Sequence, residues 1–183
     1  MFSEYELREM GIKFKDAENY ETVECIGSCE EELESKTVSK KCRGVVKKTR
    51  TKGTGNGILK ISAHIPYKIY EQAYGMDLDS LKEGIKAYGE NSVHKEFSTT
   101  QLVKDADGNI KYKAYPNCMI KTGIVRKIEN GAEEVAELEL EVSVMPDEYG
   151  NGMYEILESE ATTEITSNWM TKFTPSMAQV DVA

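Results

Sequence analysis

The sequence predicts a mainly β protein built on an antiparallel sheet, with two short helices set against it. Apolar residues recur with period two in several runs, and turn-forming clusters fall between those runs where hairpins need them. A further observation, the sorting of charge into blocks of one sign, points to contacts between copies of the chain.

The alternation is clearest at 137–144. Glu137, Glu139, Glu141 and Ser143 fall on one face, with Leu138, Leu140, Val142 and Val144 on the other. Such a strand has one buried face and one wet, acidic face. Residues 58–65 repeat the pattern, with Leu59, Ile61, Ala63 and Ile65 opposite Ile58, Lys60, Ser62 and His64. Residues 118–128 place Cys118, Ile120, Thr122, Ile124 and Ile128 on one side, with Lys121 and Lys127 on the other. Three turns separate these runs. Lys52-Gly53-Thr54-Gly55-Asn56-Gly57 divides 43–51 from the strand at 58, Asp105-Ala106-Asp107-Gly108-Asn109 divides 93–104 from 110–115, and Asn130-Gly131 divides 118–128 from 134–145. Glycine and asparagine accept the positive φ that tight hairpins require.

Pro66 at a first helical position and Gly75 beyond the end predict a helix over 66–74, with Tyr67, Tyr70 and Tyr74 on one side. The capping box Ser80-Leu81-Lys82-Glu83, followed by Ile85, Tyr88 and Gly89, predicts a second over 80–89. The chain reads as one domain: residues 1–20 as an arm, 21–147 as a β body with a long loop at about 36–57, and 148–183 as a second arm. Trp169, Met170 and Phe173 either anchor that arm on a neighbour or close a corner of the same subunit's core.

Charge is sorted in an unusual way. From Asp16 to Glu34 there are eight acids and no base, from Ser35 to Tyr70 ten bases and no acid, and from Ile128 to Thr171 twelve acids and no base. Large single-sign surfaces repel themselves, so opposite blocks in one chain suit surfaces that meet other copies. The net charge of -9 argues against non-specific attachment to nucleic acid or anionic membrane. No apolar run approaches the roughly 20 residues that span a bilayer. The amino terminus has no secretory pattern, so assembly in the cytoplasm is expected.

The chemical motifs carry bland readings. Gly53-Thr54-Gly55-Asn56-Gly57 lacks the Gly-Lys-Ser/Thr ending of a phosphate loop and reads as a mobile hairpin tip. Asp105-x-Asp107-x-Asn109 opens like a calcium loop, but Ile110 and Pro116 stand where glycine and glutamate are needed. Cys25, Cys29, Cys42 and Cys118 lack zinc-knuckle spacing; Cys25 and Cys118 sit in apolar runs and read as packing residues. Neither His64 nor His94 belongs to a recognisable catalytic arrangement, and the paired glutamates lie on an open strand face. An enzyme is not expected, nor a cofactor or a metal. The basic run Lys40–Lys52 has no aromatics for base stacking, which favours a face paired with acids over a nucleic-acid site.

Three stretches carry a family resemblance: Glu24-Cys25-Ile26-Gly27-Ser28-Cys29-Glu30-Glu31-Glu32-Leu33, Cys42-Arg43-Gly44-Val45-Val46-Lys47, and Leu59-Lys60-Ile61-Ser62-Ala63-His64-Ile65-Pro66-Tyr67. With Ala114-Tyr115-Pro116-Asn117-Cys118 and the Glu137–Val142 strand, they resemble the major tail (tail-tube) proteins of long, non-contractile-tailed bacteriophages of Gram-positive hosts. The resemblance covers about residues 20–170 and rests on overall pattern. It implies an antiparallel β-sandwich or barrel-like tail-tube fold with flanking helices and extended terminal arms. It also implies hexameric rings stacked head to tail into a virion tail tube that conducts genomic DNA. Tape measure, tail terminator and distal tail proteins are the implied partners, with no membrane. In relatives the long early loop contacts the next ring, which assigns Lys47, Lys48, Arg50, Lys52, Gly53, Gly55 and Gly57 to an inter-subunit loop. Glu137, Glu139 and Glu141 would line the lumen, where carboxylates repel DNA phosphates. The alternative is a monomeric β-sandwich binding or adaptor module of a phage or bacterial assembly.

Overall fold

The computed structural model describes residues 2–128, 130–131 and 135–180. Its strands are β1 (Glu4–Phe14), β2 (Glu21–Val23), β3 (Ile26–Cys42), β4 (Val45–Ala63), β5 (Phe97–Asp105), β6 (Ile110–Ile120), β7 (Leu138–Met145) and β8 (Tyr154–Leu157). Helix α1 is Tyr67–Ala73 and α2 is Thr163–Lys172. The strands make one antiparallel sheet in the order β2-β1-β5-β6-β7-β4-β3. Strand β6 shares one edge between two partners: β8 takes Lys111–Ala114, and β7 takes Asn117–Ile120.

The fold is thus mainly β, as the sequence predicts, and it is barrel-like. Alternate residues of β1, β4, β6 and β7 meet on the inner face, where Met10, Ile12, Leu59, Ile61, Tyr115, Cys118, Ile120, Leu140, Val142 and Val144 form one cluster. Helix α1 closes it with Ile69, Tyr70 and Ala73. On the opposite face of β6, Tyr112 and Ala114 pack against Trp169 and Phe173. Those two aromatics therefore close the subunit's own core.

Helix α1 and the hairpin at 105–109 lie where the sequence places them. Five expectations are corrected. Residues 4–14 are not an arm: β1 is a sheet strand, with β5 on one side along its length and β2 beside Met10–Ile12. The window 80–89 holds turns and no helix, because Gly84 sits at φ 82, in the left-handed region that ends a helix. Residues 110–120 form one strand, and the ladder steps from Thr99↔Tyr115 to Phe97↔Cys118, so Pro116 falls in a bulge where its missing N–H costs nothing. Residues 121–128 carry no strand. Cys25 lies exposed between β2 and β3, whereas Cys118 is buried. The turn at Asn130-Gly131 is flanked by 129 and 132–134, which, with Glu133 and Glu134, lie outside the described residues.

The fifth correction concerns 36–57. Instead of a loop, it belongs to a two-stranded ribbon of β3 and β4 that turns at Arg43-Gly44. Their φ values of 50 and 80 give a tight hairpin whose two central residues are both left-handed. The glycine-rich stretch is not the tip. It lies inside β4, where a bulge between Leu33 and Ser35 sets Gly57 against Leu33 and Gly53 against Ser35. Gly55 packs on the turn after β7, so close to Gly152 that a Cβ at Gly152 would overlap the Gly55 carbonyl oxygen.

Candidate functional site

Three features outside the core define candidate contact surfaces. The first is the outer half of the ribbon, residues 35–51, every one of them exposed. Cross-strand register sorts its side chains onto two faces. Thr37 pairs with Thr51 and Ser39 with Thr49, through hydroxyl contacts of 2.8 and 3.1 Å. The other face sets Lys36 opposite Lys52 and Lys40 opposite Lys48, with Val38 opposite Arg50. Like charges directly opposite one another destabilise a ladder. Among the described residues no carboxylate forms an ion pair with a ribbon cation. Val38, Val45 and Val46 are 62%, 59% and 50% exposed.

The second is the outward face of β7 and its neighbours. Glu139 and Glu141 alternate with the buried Leu140 and Val142, as the sequence predicts. Glu137 precedes the strand and accepts a hydrogen bond from the Ser62 hydroxyl at 2.6 Å. The face is less purely acidic than the sequence suggests. Glu30, Lys60 and Glu141 stand side by side on β3, β4 and β7; Lys60 pairs with Glu30 at 3.0 Å and Lys121 with Glu141 at 3.1 Å. The hydrogen bond that Lys60 donates to the Glu30 carboxylate holds its ammonium above the usual lysine range. Glu32 and Glu139 form no salt bridge among the described residues, so the face stays net negative.

The third was not visible in the sequence. Between β1 and β3 the barrel wall is open, and a cleft of about 1210 Å³ lies there, lined by Glu4–Glu9, Glu24, Ile26–Cys29, Glu31 and Lys113 among others. Its floor is a partly buried ionic cluster spanning three strands. Lys113 of β6, 5% exposed, pairs with Glu31 of β3 and with Glu4 of β1, the latter at 3.2 Å. The Tyr115 hydroxyl donates to Glu31 at 2.5 Å, and Gln101 donates to the Cys29 sulfur at 3.3 Å. Burial opposes the charge of Lys113, but Glu31 and Glu4 outweigh it and hold the ammonium above its ordinary range. Burial, reinforced by Glu31, pushes the Tyr115 hydroxyl far up. No sequence period connects positions 4, 31 and 113; only sheet topology does.

The two histidines are structural in placement. His64 is exposed, and His94 is held between the Tyr88 hydroxyl at 3.0 Å and the Ile120 carbonyl at 2.7 Å. Asp105, from the calcium-like stretch, spends its carboxylate on the backbone N–H groups of Asp107 and Asn109. Among the described residues no group of three or more His, Cys, Asp and Glu is placed to hold a metal ion, and no helix is long and apolar enough to cross a membrane.

The fold places the chain in a recognisable structural class. It is similar to a chain of the anti-feeding prophage cap, the AFP tube terminating cap, with a TM-score of 0.51 over 86% of this chain and 93% of that one. Identity is 8%, so the likeness concerns the fold alone. A chain of the 6-fold symmetrised anti-feeding prophage baseplate matches at a TM-score of 0.42 and 8% identity, over 85% of this chain and 97% of that one; a score so low adds nothing to the assignment. No protein-family model and no curated protein matches the chain. The shared architecture is thus one found in the tube terminating cap of the anti-feeding prophage, which is not a major tail protein of a long-tailed phage of a Gram-positive host.

Proposed function

We propose that this protein is a structural subunit of a phage-tail-like particle that self-associates into hexameric rings, stacked head to tail as a tube through which genomic DNA passes. The observation that carries the reading is the outer half of the ribbon, residues 35–52, a basic projection without a single acid, on a body that is strongly acidic. A monomer gains nothing from holding like charges opposite one another in solvent; a subunit that meets acidic copies of itself does. The fold shared with the tube terminating cap of the anti-feeding prophage supports the same reading. No catalytic role is assigned, and the partly buried Lys113–Glu31–Tyr115 cluster is read as structural.

Within this reading Glu137, Glu139 and Glu141 face the lumen, where net negative charge keeps the duplex from adhering. Tape measure, terminator and distal tail proteins are the partners that the sequence resemblance implies, and the particle's tail is the location. Sedimentation velocity across a concentration series, with negative-stain images of the concentrated sample, tests the proposal. Rings or tubes are expected. A chain that stays monomeric at every concentration overturns it in favour of the adaptor-module alternative.

A further inference from the structure

We infer that the cleft between β1 and β3 is the receptor for the ribbon tip of a second copy of this chain. The inference rests on the self-assembly reading and specifies where the contact is made.

Charge is complementary at the two places. The cleft is lined by Glu4, Glu6, Glu9, Glu24, Glu31 and Glu155. Against these six acids stand three bases: Arg8 paired with Glu6, Lys113 with Glu31 and Glu4, and Lys111 reaching Glu4 and Glu155 from beside the cleft. The cleft therefore stays net negative, and Glu9 and Glu24 form no salt bridge among the described residues. The tip carries Lys40, Lys41, Arg43, Lys47 and Lys48, with Val45 and Val46 exposed between them.

Backbone is complementary as well. Strand β1 pairs with β5 on one side, and β2 covers the other side at Met10–Ile12, so among the described residues the outer edge of Glu4–Glu9 has no strand partner. Strand β3 pairs with β4 alone among the described residues. The cleft therefore has two unpaired strand edges as walls, and the ribbon offers edges of the same kind.

The contact cannot close within one molecule. Glu31 lines the cleft and Cys42 stands at the tip, eleven residues apart on the same strand. At about 3.3 Å per residue they are roughly 36 Å apart along the strand, so the extended ribbon of this structure holds the tip away from its own cleft. A tip seated in another copy's cleft is a head-to-tail contact, which propagates as a ring or a filament.

The test is a charge swap read by sedimentation, with circular dichroism confirming that each variant folds. One variant carries Lys40→Glu, Lys41→Glu, Lys47→Glu and Lys48→Glu at the tip, and the other Glu6→Lys, Glu9→Lys and Glu24→Lys on the cleft, so that each surface changes sign. Each alone should weaken self-association roughly tenfold or more, and mixing the two should restore it, because each tip then meets an opposite cleft. If the cleft variant associates like the wild type while the tip variant does not, the tip docks elsewhere; the inference fails and the self-assembly reading stands. A wild-type chain that never associates overturns both.

A variant-free measurement backs this up. Cys42 at the tip and Cys25, beside Glu24 at the cleft, are both exposed in the free chain. Association should slow labelling of both thiols by a maleimide. Protection of Cys42 alone would place its receptor away from the cleft and overturn the inference.

Discussion

At the scale of single residues, one turn design is used twice. Asp105-Ala106-Asp107-Gly108-Asn109 and Asp147-Glu148-Tyr149-Gly150-Asn151 share Asp-x-x-Gly-Asn, and in each the aspartate Oδ1 accepts from the backbone N–H groups two and four residues on. The second oxygen takes Asn109 Nδ2 at 2.7 Å in one turn and the Tyr154 hydroxyl at 2.6 Å in the other. A carboxylate accepting several donors is favoured in its charged form. The Asn109 side chain, ahead of the backbone donors, accordingly holds Asp105 below its usual range. A folded-state pKa lowered in this way gives stability that is present above the unfolded value of about 3.9 and is lost as pH falls through the folded one. Asp105→Asn should therefore unfold at lower urea than the wild type at pH 7, because its amide turns a donor toward Asn109 Nδ2. The gap should narrow as the pH is brought below about 4, where the carboxyl of the unfolded chain begins to protonate, and close as the pH falls through the lower folded value. Paired urea titrations at the two pH values check both signs.

At the scale of elements, helix α2 shows what the sequence hides. Thr163–Lys172 contains four threonine or serine residues, and its apolar Ile165, Trp169 and Met170 make a stripe too sparse to announce a helix. It forms because Thr162 caps it, accepting from the Ile165 N–H at 3.4 Å, and because Trp169 buries its ring on β6 while donating to the Lys113 carbonyl at 3.1 Å. Trp169→Ala removes both contacts and should cost about 3 to 5 kcal/mol, measured by chemical denaturation. The reverse error occurred at Ser80-x-x-Glu83, a sound capping box with no run to cap once Gly84 interrupts it. Period-two patterning made β4 and β7 legible because each has one face in the core and one in water. Strand β1 was not legible, since Glu4, Tyr5 and Glu6 are exposed in succession and Met10, Gly11 and Ile12 buried in succession, which leaves no period of two. The ribbon was read as a loop for a related reason: with no buried face, 35–51 has no hydrophobic period to detect. Its two-faced character emerges only when cross-strand register sets lysine against lysine and hydroxyl against hydroxyl. Of the candidate surfaces, the acidic alternation of Glu139 and Glu141 was readable in one dimension, whereas the cleft, built from β1, β3 and β6, was not.

At the scale of the whole molecule, charge separation sets how copies can meet. The ribbon's eight bases between Lys36 and Lys52 carry +8, so the rest of the chain carries -17 of the -9 total. Two bodies facing each other repel, and two ribbons do likewise; only ribbon against body attracts. The attraction acts between exposed groups, which places it under the control of ionic strength. Screening shortens the reach of such charges from about 10 Å at 0.1 M salt to about 3 Å at 1 M. If ribbon–body contact drives association, sedimentation at fixed protein concentration should show assemblies at low salt that shrink toward the single subunit as sodium chloride approaches 1 M. Sodium sulfate separates this from apolar association, because it strengthens apolar burial while still screening charge. Contacts dominated by charge should weaken in both salts. Assemblies that grow in sulfate would assign the driving force instead to Val38, Val45 and Val46 on the ribbon, leaving the lysines to set orientation and rate.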